Sequence, residues 1–274
     1  MPADEYLAIE ATSISRLKEL RRSPLHYRHA LEHPKETVPL RLGTAAHCAT
    51  LEPERFGRQF AIWSRRSDKT GNLCPRTGQW WEAFEAQNRG KTIITEDECT
   101  PALALAAAVR ADLVAAPYLE SGEPEVVMTW DAWGRACKGR IDWLTRKDDE
   151  PVLVGLKTAR DCRPFIFGSA AAKLGYHLQW SFYQNGYSVI KDGERPRMVE
   201  IVVESAPPHA VIVYRIPDDV LLQGEEEFLR LLEVLERCER EGAWPGPATE
   251  EQLLTLPTWA YPQIDDISDI GLEN

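Results

Sequence analysis

The chain has 274 residues, 43% of them hydrophobic and 27% charged, which is an ordinary globular composition with apolar material for a large core. Its formal charge of −11 excludes a uniformly basic surface. That charge serves solubility, or it makes an acidic exterior that repels polyanions everywhere except at a local basic groove. No run of 18 apolar residues occurs, and the start Met1-Pro2-Ala3-Asp4-Glu5-Tyr6 lacks a basic region followed by an apolar one. The expectation is a cytoplasmic protein with neither membrane span nor signal peptide. Cys48, Cys74, Cys99, Cys137, Cys162 and Cys238 are scattered without a Cys-x-x-Cys pair, which reads as reduced thiols.

In chain order, residues 12–20 predict a helix, with Ser and Thr as N-cap candidates and Ile14, Leu17 and Leu20 at helical spacing. Ser23 then caps a second helix with Pro24 at its first position. Lys18, Arg21 and Arg22 form a basic turn that contacts phosphate or is simply solvated. His47 lies in a helix whose small residues Gly43, Ala45 and Ala46 permit close packing. It is a satisfied core histidine or a metal ligand. Residues 65–76 are a polar, basic loop suited to guiding a strand or to nothing beyond surface. Trp80, Trp81 and Phe84 follow at helical spacing, as core or as a stacking platform. Thr95-Glu96-Asp97-Glu98 is a capping box that opens an Ala-rich helix to about residue 116, closed by Pro117.

From residue 125 the pattern changes to period two. Val126, Met128 and Trp130 mark a strand, residues 131–134 a turn, 135–145 the antiparallel return, 147–150 a second turn and 152–157 a buried strand. Arg140 and Asp142 share one face, as do Leu153, Gly155 and Lys157, so Asp142 and Lys157 can meet across the hairpin. Residues 170–190 predict a helix on which Gln179 and Tyr183 stand four apart above the strand ends. Strands over 198–204 and 210–216 flank a Pro-rich loop at 206–209, and 217–241 is an amphipathic charged helix. The chain then turns Pro-rich and acidic, with 265–274 reading as a mobile tail. No internal repeat is visible.

An aspartate beside a lysine at strand ends is the arrangement metal-dependent phosphodiester cleavage requires: carboxylates hold Mg²⁺, and the lysine steers a water and offsets negative charge. Asp142, Leu156-Lys157-Thr158 and the spacing Gln179-x-x-x-Tyr183 resemble the PD-(D/E)XK nuclease superfamily. Within it they resemble the Gln-x-x-x-Tyr branch, and most closely the RecE-type (exonuclease VIII) exonuclease domain. Gly43-Thr44-Ala45-Ala46-His47 with Leu51-Glu52-Pro53 is similar to that branch's histidine motif, and Ser23-Pro24 before His26-Tyr27 to its opening. Trp244-Pro245 and Leu256-Pro257-Thr258-Trp259 are similar to its ending.

The resemblance implies an α/β fold with a restriction-endonuclease-like mixed central sheet flanked by helices. It implies one domain over 1–260, with a helical annex over 1–120, the catalytic sheet and helices over 121–245, and an acidic tail over 261–274. It implies a Mg²⁺- or Mn²⁺-dependent exonuclease that degrades one strand of duplex DNA from its 5′ end and leaves 3′ single strands for recombination. A ring-shaped tetramer and a single-strand annealing partner come with it. His47, Asp142, the residue at 155 and the Leu156 carbonyl would hold metal, Lys157 would position the attacking water, and Gln179 and Tyr183 would orient the lysine and the DNA backbone. Glu125, at the start of its strand, reaches this site or is an exposed strand-end glutamate. Lys18, Arg21, Arg22, Lys138 and Arg140 are the candidate DNA contacts.

One position departs from the pattern. The second acid stands two before the lysine, and here that residue is Gly155, which offers no side-chain oxygen. Glycine inside a buried strand independently marks the position. Three expectations follow: an impaired nuclease that Gly155→Asp restores, a nuclease-dead protein that binds duplex ends, or a carboxylate supplied from elsewhere, with Glu125 the first candidate. Another nuclease of the same superfamily, structure-specific or Cas4-like, is a further alternative; the Cas4-like one is disfavoured because only Cys238 lies late in the chain, where that relative clusters three cysteines.

Overall fold

The computed structural model describes residues 3–33, 38–257 and 260. The N-terminal part is α1 (Ala3–Ala8), β1 (Thr12–Ser13), α2 (Ile14–Leu17), a 3₁₀ turn at Lys18–Arg21, α3 (Pro24–Glu32), α4 (Val38–Leu51), α5 (Pro53–Gln59), β2 (Phe60–Trp63), α6 (Gln79–Gln87), β3 (Thr92–Thr95), α7 (Glu96–Ala111) and α8 (Ala116–Leu119). The sheet and its helices follow as β4 (Glu123–Ala132), β5 (Arg135–Lys147), β6 (Glu150–Ala159), α9 (Pro164–Leu174), α10 (Tyr176–Ile190), β7 (Arg197–Glu204), β8 (Val211–Arg215) and α11 (Asp218–Glu241).

Capping chemistry sets several boundaries as the sequence predicts. Ser23 Oγ accepts from the His26 amide ahead of Pro24. Thr95 and Glu98 satisfy each other's backbone amides in a reciprocal box. Three boundaries differ. Residues 12–20 split into a strand bridge, one helical turn and a 3₁₀ turn, because Thr12 and Ser13 pair with β5. Helix α7 stops at Ala111, since Asp112 leaves helical geometry and its carboxylate accepts from the Val114 and Ala115 amides; Pro117 opens a separate turn instead of ending the helix. The helix expected over 170–190 is two helices, broken where Gly175 adopts a left-handed conformation (φ 65°) that only glycine takes without strain.

The central sheet is mixed, in the order β1-β5-β6-β7-β8, with β4 on the other edge of β5. Strands β4, β5 and β6 are antiparallel neighbours, β6 and β7 run parallel, and β8 returns antiparallel to β7. A second, two-stranded parallel sheet joins β2 and β3. It escapes sequence reading because each strand has four residues and the pairing spans more than thirty.

Alternation along the strands feeds two cores, one on each face. Met198 and Val202 point with Leu153 into the core shared with α10 and α11, while Val152, Val154, Leu156, Val199 and Ile201 point into the core under α4 and α7. Leu221, Phe228, Leu231, Leu232 and Leu235 on α11 make a buried stripe within the first of these. Each such side chain contributes about 2 kcal/mol by leaving water. Among the described residues no helix is long and apolar enough to cross a membrane. The predicted tail at 265–274 and Thr258-Trp259 lie outside the described residues. Trp244 stacks on Tyr27 at 5.8 Å, and Leu25 N donates to the Pro245 carbonyl, which ties the end of the fold to α3.

Candidate active site

The β5–β6 ladder runs from Lys147–Glu150 to Trp143–Val154 and stops there, and β1 takes up the freed edge of β5 at Cys137 and Lys138. The sheet therefore opens beyond Trp143, and side chains from α4 on one face and α10 on the other meet at the opening. Glu125 sits between the paired positions Pro124–Trp143 and Val126–Ile141, beside Asp142; Asp142 and Gly155 come just past the last β5–β6 pair, Trp143–Val154; and Gly155 itself pairs with Glu200. Glu125, Asp142, Gly155 and Glu200 thus form one row across four strands. Three carboxylates stand in it, and the glycine is the gap between two of them.

Glu125 enters the row through a backbone exception, since its φ of 52° is left-handed. A bulky residue rarely adopts this, and such strain concentrates at functional sites. His47 Nδ1 lies 3.9 Å from Asp142 Oδ2. His47, Glu125 and Asp142 each offer one ligand atom, and these atoms all lie within 4.8 Å of one another. One imidazole nitrogen with two carboxylate oxygens is a donor set that divalent cations accept, so the chain's own residues fit a metal there. Lys157 Nζ stands 3.6 Å from Asp142 Oδ2 and 3.4 Å from Glu200 Oε1. The Leu156 amide donates to Asp142 Oδ2 at 2.9 Å, which fixes that carboxylate, and the Leu156 carbonyl is 3.4 Å from Lys157 Nζ.

Electrostatics suit that assignment. Burial pushes the His47 imidazole below its ordinary range, so it stays neutral and keeps a lone pair. Burial opposes charge on Asp142, yet Lys157 and the Leu156 amide hold it below the usual carboxylate range. Burial likewise opposes the Lys157 ammonium, but Glu200 and Asp142 outweigh it and hold the lysine above its normal range. Glu200 is 1% exposed, and burial raises its pKa against the opposing pull of Lys157. Burial raises Tyr183 as well, so its phenol stays protonated.

Glu125 is pushed up to about 7, first by burial, with Arg140 at 2.8 Å opposing. A carboxyl whose folded pKa lies above its unfolded one adds stability that is complete at low pH and disappears as pH rises through the folded value. Metal-free protein is therefore expected to lose on the order of 2–3 kcal/mol between about pH 4.5 and pH 7.5 from this group. Glu125→Gln should flatten that slope. Denaturant titrations in EDTA across the range check it, and equal slopes for the two proteins would refute it.

Gln179 and Tyr183 line, with Asp142, Gly155, Trp180 and Glu200, a small cavity of about 10 Å³, room for one water. Both stand on α10 above the strand ends, where the sequence places them. Two residues that sequence reasoning missed are in the same cavity. Trp180 donates its indole Nε1–H to Glu200 Oε2. Glu200 comes from β7 and carried no signal except the void at Gly155.

Two of the candidate DNA contacts are corrected and a third is relocated. Lys138 is 6% exposed and its ammonium donates to the carbonyls of Tyr6, Leu7 and Ile9, so it closes the end of α1 and is not free for phosphate. Arg21 donates to the Ala172 and Lys173 carbonyls at the end of α9 and pairs with Glu227. Lys18 is no solvated turn residue. It lies over the Tyr176 ring at 5.5 Å, and burial, then Lys157, push its ammonium down to about 8. Tyr176 also faces Lys157, so Lys18 stands as a second cation next to the site. Arg22 is exposed and Arg140 is engaged with Glu125. The basic loop is also partly committed: Arg66 pairs with Glu96 and Arg76 with Glu98, while Arg65 covers the exposed Trp80 at 4.2 Å. Trp81 packs against Trp63 and Phe84.

A mixed sheet opened at a hairpin end, with an acid-and-lysine cluster beneath a helix, defines a PD-(D/E)XK-like fold. Residues 13–256 match the model of the PDDEXK-like domain of unknown function DUF3799, and the chain belongs to that family. The structure resembles a Eubacterium rectale protein provisionally named an exonuclease, with a TM-score of 0.63 at 14% identity over 94% of this chain and 95% of that one. At that identity the likeness shows the fold. Two further solved chains, SSO0001 and protein VC1899 from Vibrio cholerae, are 14% identical with TM-scores of 0.28 and 0.22. The first match covers 79% of this chain and 84% of that one, the second 83% and 57%, and neither TM-score is high enough to carry an argument. No curated protein matches the sequence.

Proposed function

We propose that the protein is a metal-dependent deoxyribonuclease that resects duplex DNA in the manner of the RecE type, from the 5′ end, leaving 3′ single strands. The observation that carries this reading is the convergence of His47, Glu125 and Asp142 within 4.8 Å, with Lys157 against Asp142. His47, Glu125, Asp142 and the Leu156 carbonyl would hold Mg²⁺ or Mn²⁺, which when bound polarises a phosphoryl oxygen and acidifies a bound water. Lys157, kept charged by its acidic neighbours, orients the attacking water and offsets charge at the scissile phosphate. Gln179 and Tyr183 border the same space and position the backbone. Lys18 and Arg22 add positive charge on the approach. The reading carries with it a cytoplasmic location, a closed ring of four subunits and an annealing partner for the exposed strand.

The test is digestion of linear duplex labelled at either the 5′ or the 3′ end, beside a covalently closed circle, in Mg²⁺ or Mn²⁺. Early release of the 5′ label with the circle intact is the expected result, and Asp142→Asn should lower the rate at least about 10³-fold. Binding of duplex ends without any cutting by the parent chain would favour the nuclease-dead reading that Gly155 raises.

A further inference from the structure

Residue 155 is a glycine at the place where the acid-x-lysine pattern puts its second acid, and the space above it is not empty. A β-carbon built there would lie 2.6 Å from Glu200 Oε2 and 2.7 Å from Glu200 Cδ, with Oε1 nearer still. Within any carboxylate side chain, the carbon preceding the carboxyl sits about 2.4 Å from its oxygens. The Glu200 carboxyl therefore overlaps the volume that an aspartate side chain at 155 would need. Parallel pairing of Gly155 with Glu200 explains the coincidence, because paired residues on neighbouring strands present their side chains on the same face.

We propose that Glu200 supplies the second acid of the site, from the strand next to the one that ordinarily carries it; this deepens the nuclease reading and rests on it. Glu200 Oε2 is held by the Trp180 indole, while Oε1 is buried and stands 3.4 Å from Lys157 Nζ, its ion-pair partner. Both Asp142 and Glu200 line the small cavity, and both pair with Lys157, at 3.6 and 3.4 Å. A glycine at 155 is then a requirement of the arrangement. The expected rescue by a lone Gly155→Asp changes accordingly, since it would force two carboxylates into one volume.

Four proteins test this: the parent, Glu200→Gln, Gly155→Asp, and the exchange Gly155→Asp/Glu200→Val. Mn²⁺ affinity is measured by calorimetry without DNA, thermal midpoint on the same samples, and cutting of end-labelled duplex in parallel. Glu200→Gln keeps an oxygen for Trp180 and should stay folded, yet bind Mn²⁺ at least tenfold more weakly and cut at least a hundredfold more slowly. Gly155→Asp alone should gain neither affinity nor rate and should melt earlier. The exchange should recover both to within tenfold of the parent. Unchanged Mn²⁺ affinity in folded Glu200→Gln, or improvement by Gly155→Asp alone, would overturn the assignment. If Mn²⁺ affinity follows Glu200 while no protein cuts DNA, the acid is assigned correctly and the nuclease reading is what fails.

Discussion

Replacing Lys157 by Met should stop duplex cleavage, with a loss of at least about 10³-fold, while leaving the protein able to bind DNA. The reason lies in what surrounds the ammonium. Asp142 and Glu200 are its ion-pair partners, and Glu200 is only 1% exposed. Methionine matches the aliphatic stem and removes only the charge. The buried Glu200 and the half-buried Asp142 then lose their nearest counter-ion, and deleting one partner of a buried pair costs about 3–5 kcal/mol. Part of that is recovered by protonating Glu200, whose pKa burial already raises. The destabilisation should therefore be larger at pH 8 than at pH 5, and saturating Mn²⁺ should reduce it, because a cation supplies the charge the lysine took away. Unfolding in EDTA and in Mn²⁺ at both pH values reads all of this. A Lys157→Met protein as stable as the parent at pH 8 in EDTA would mean that the lysine is not the counter-ion of this cluster.

The parts of the site that lie along one stretch of chain were legible in the sequence. Asp142 and Lys157 share a hairpin, so period-two alternation alone puts them face to face, and Gln179 and Tyr183 are four apart on one helix. Ser23 and Thr95 announced their caps through local hydrogen bonding, which needs no knowledge of the fold. His47 and Glu125 required the resemblance, since a lone histidine on a small-residue helix and a strand-end glutamate have ordinary structural explanations. Glu200 was not legible, because its role depends on which strand lies beside β6. A continuous apolar run with one glutamate, Met198-Val199-Glu200-Ile201, reads as a buried strand with an odd charge. Only the parallel register reveals that the charge faces the missing side chain at 155. The contacts of Lys138 and Arg21 were misread for a related reason: a basic residue that closes a helix end looks, in sequence, like one that faces solvent.

The helix that roofs the site depends on a second close approach, and adding a single methyl group there is expected to have a large structural effect. Gly224 of α11 lies against α10, where an added β-carbon would press on the His177 carbonyl oxygen and Ser181 Oγ and lie 2.6 Å from the His177 carbonyl carbon. Ser181 Oγ donates to the carbonyls of His177 and Leu221, so the same spot carries the hydrogen bond that bridges the two helices. Gly224→Ala should gain about 1 kcal/mol of helix propensity. It should lose about 1–3 kcal/mol to overpacking against backbone that cannot rotate away, and a further 1–3 kcal/mol if the buried bridge breaks. The net expectation is a loss of about 2–4 kcal/mol, lowering the melting midpoint by roughly 4–16 °C. Because α10 also carries Gln179, Trp180 and Tyr183, the displacement should slow cleavage several-fold even well below the midpoint, with Mn²⁺ affinity weakened through Trp180 and Glu200. Ser181→Ala in the Gly224→Ala background should recover only part of the stability, since the carbonyl of His177 remains in the way. Calorimetric melting of the two single variants and the double variant decides the matter: a Gly224→Ala protein that melts at or above the parent's midpoint would show that α11 can shift outward without cost, and that the roof over the site is held by the Phe182 and Phe228 packing alone.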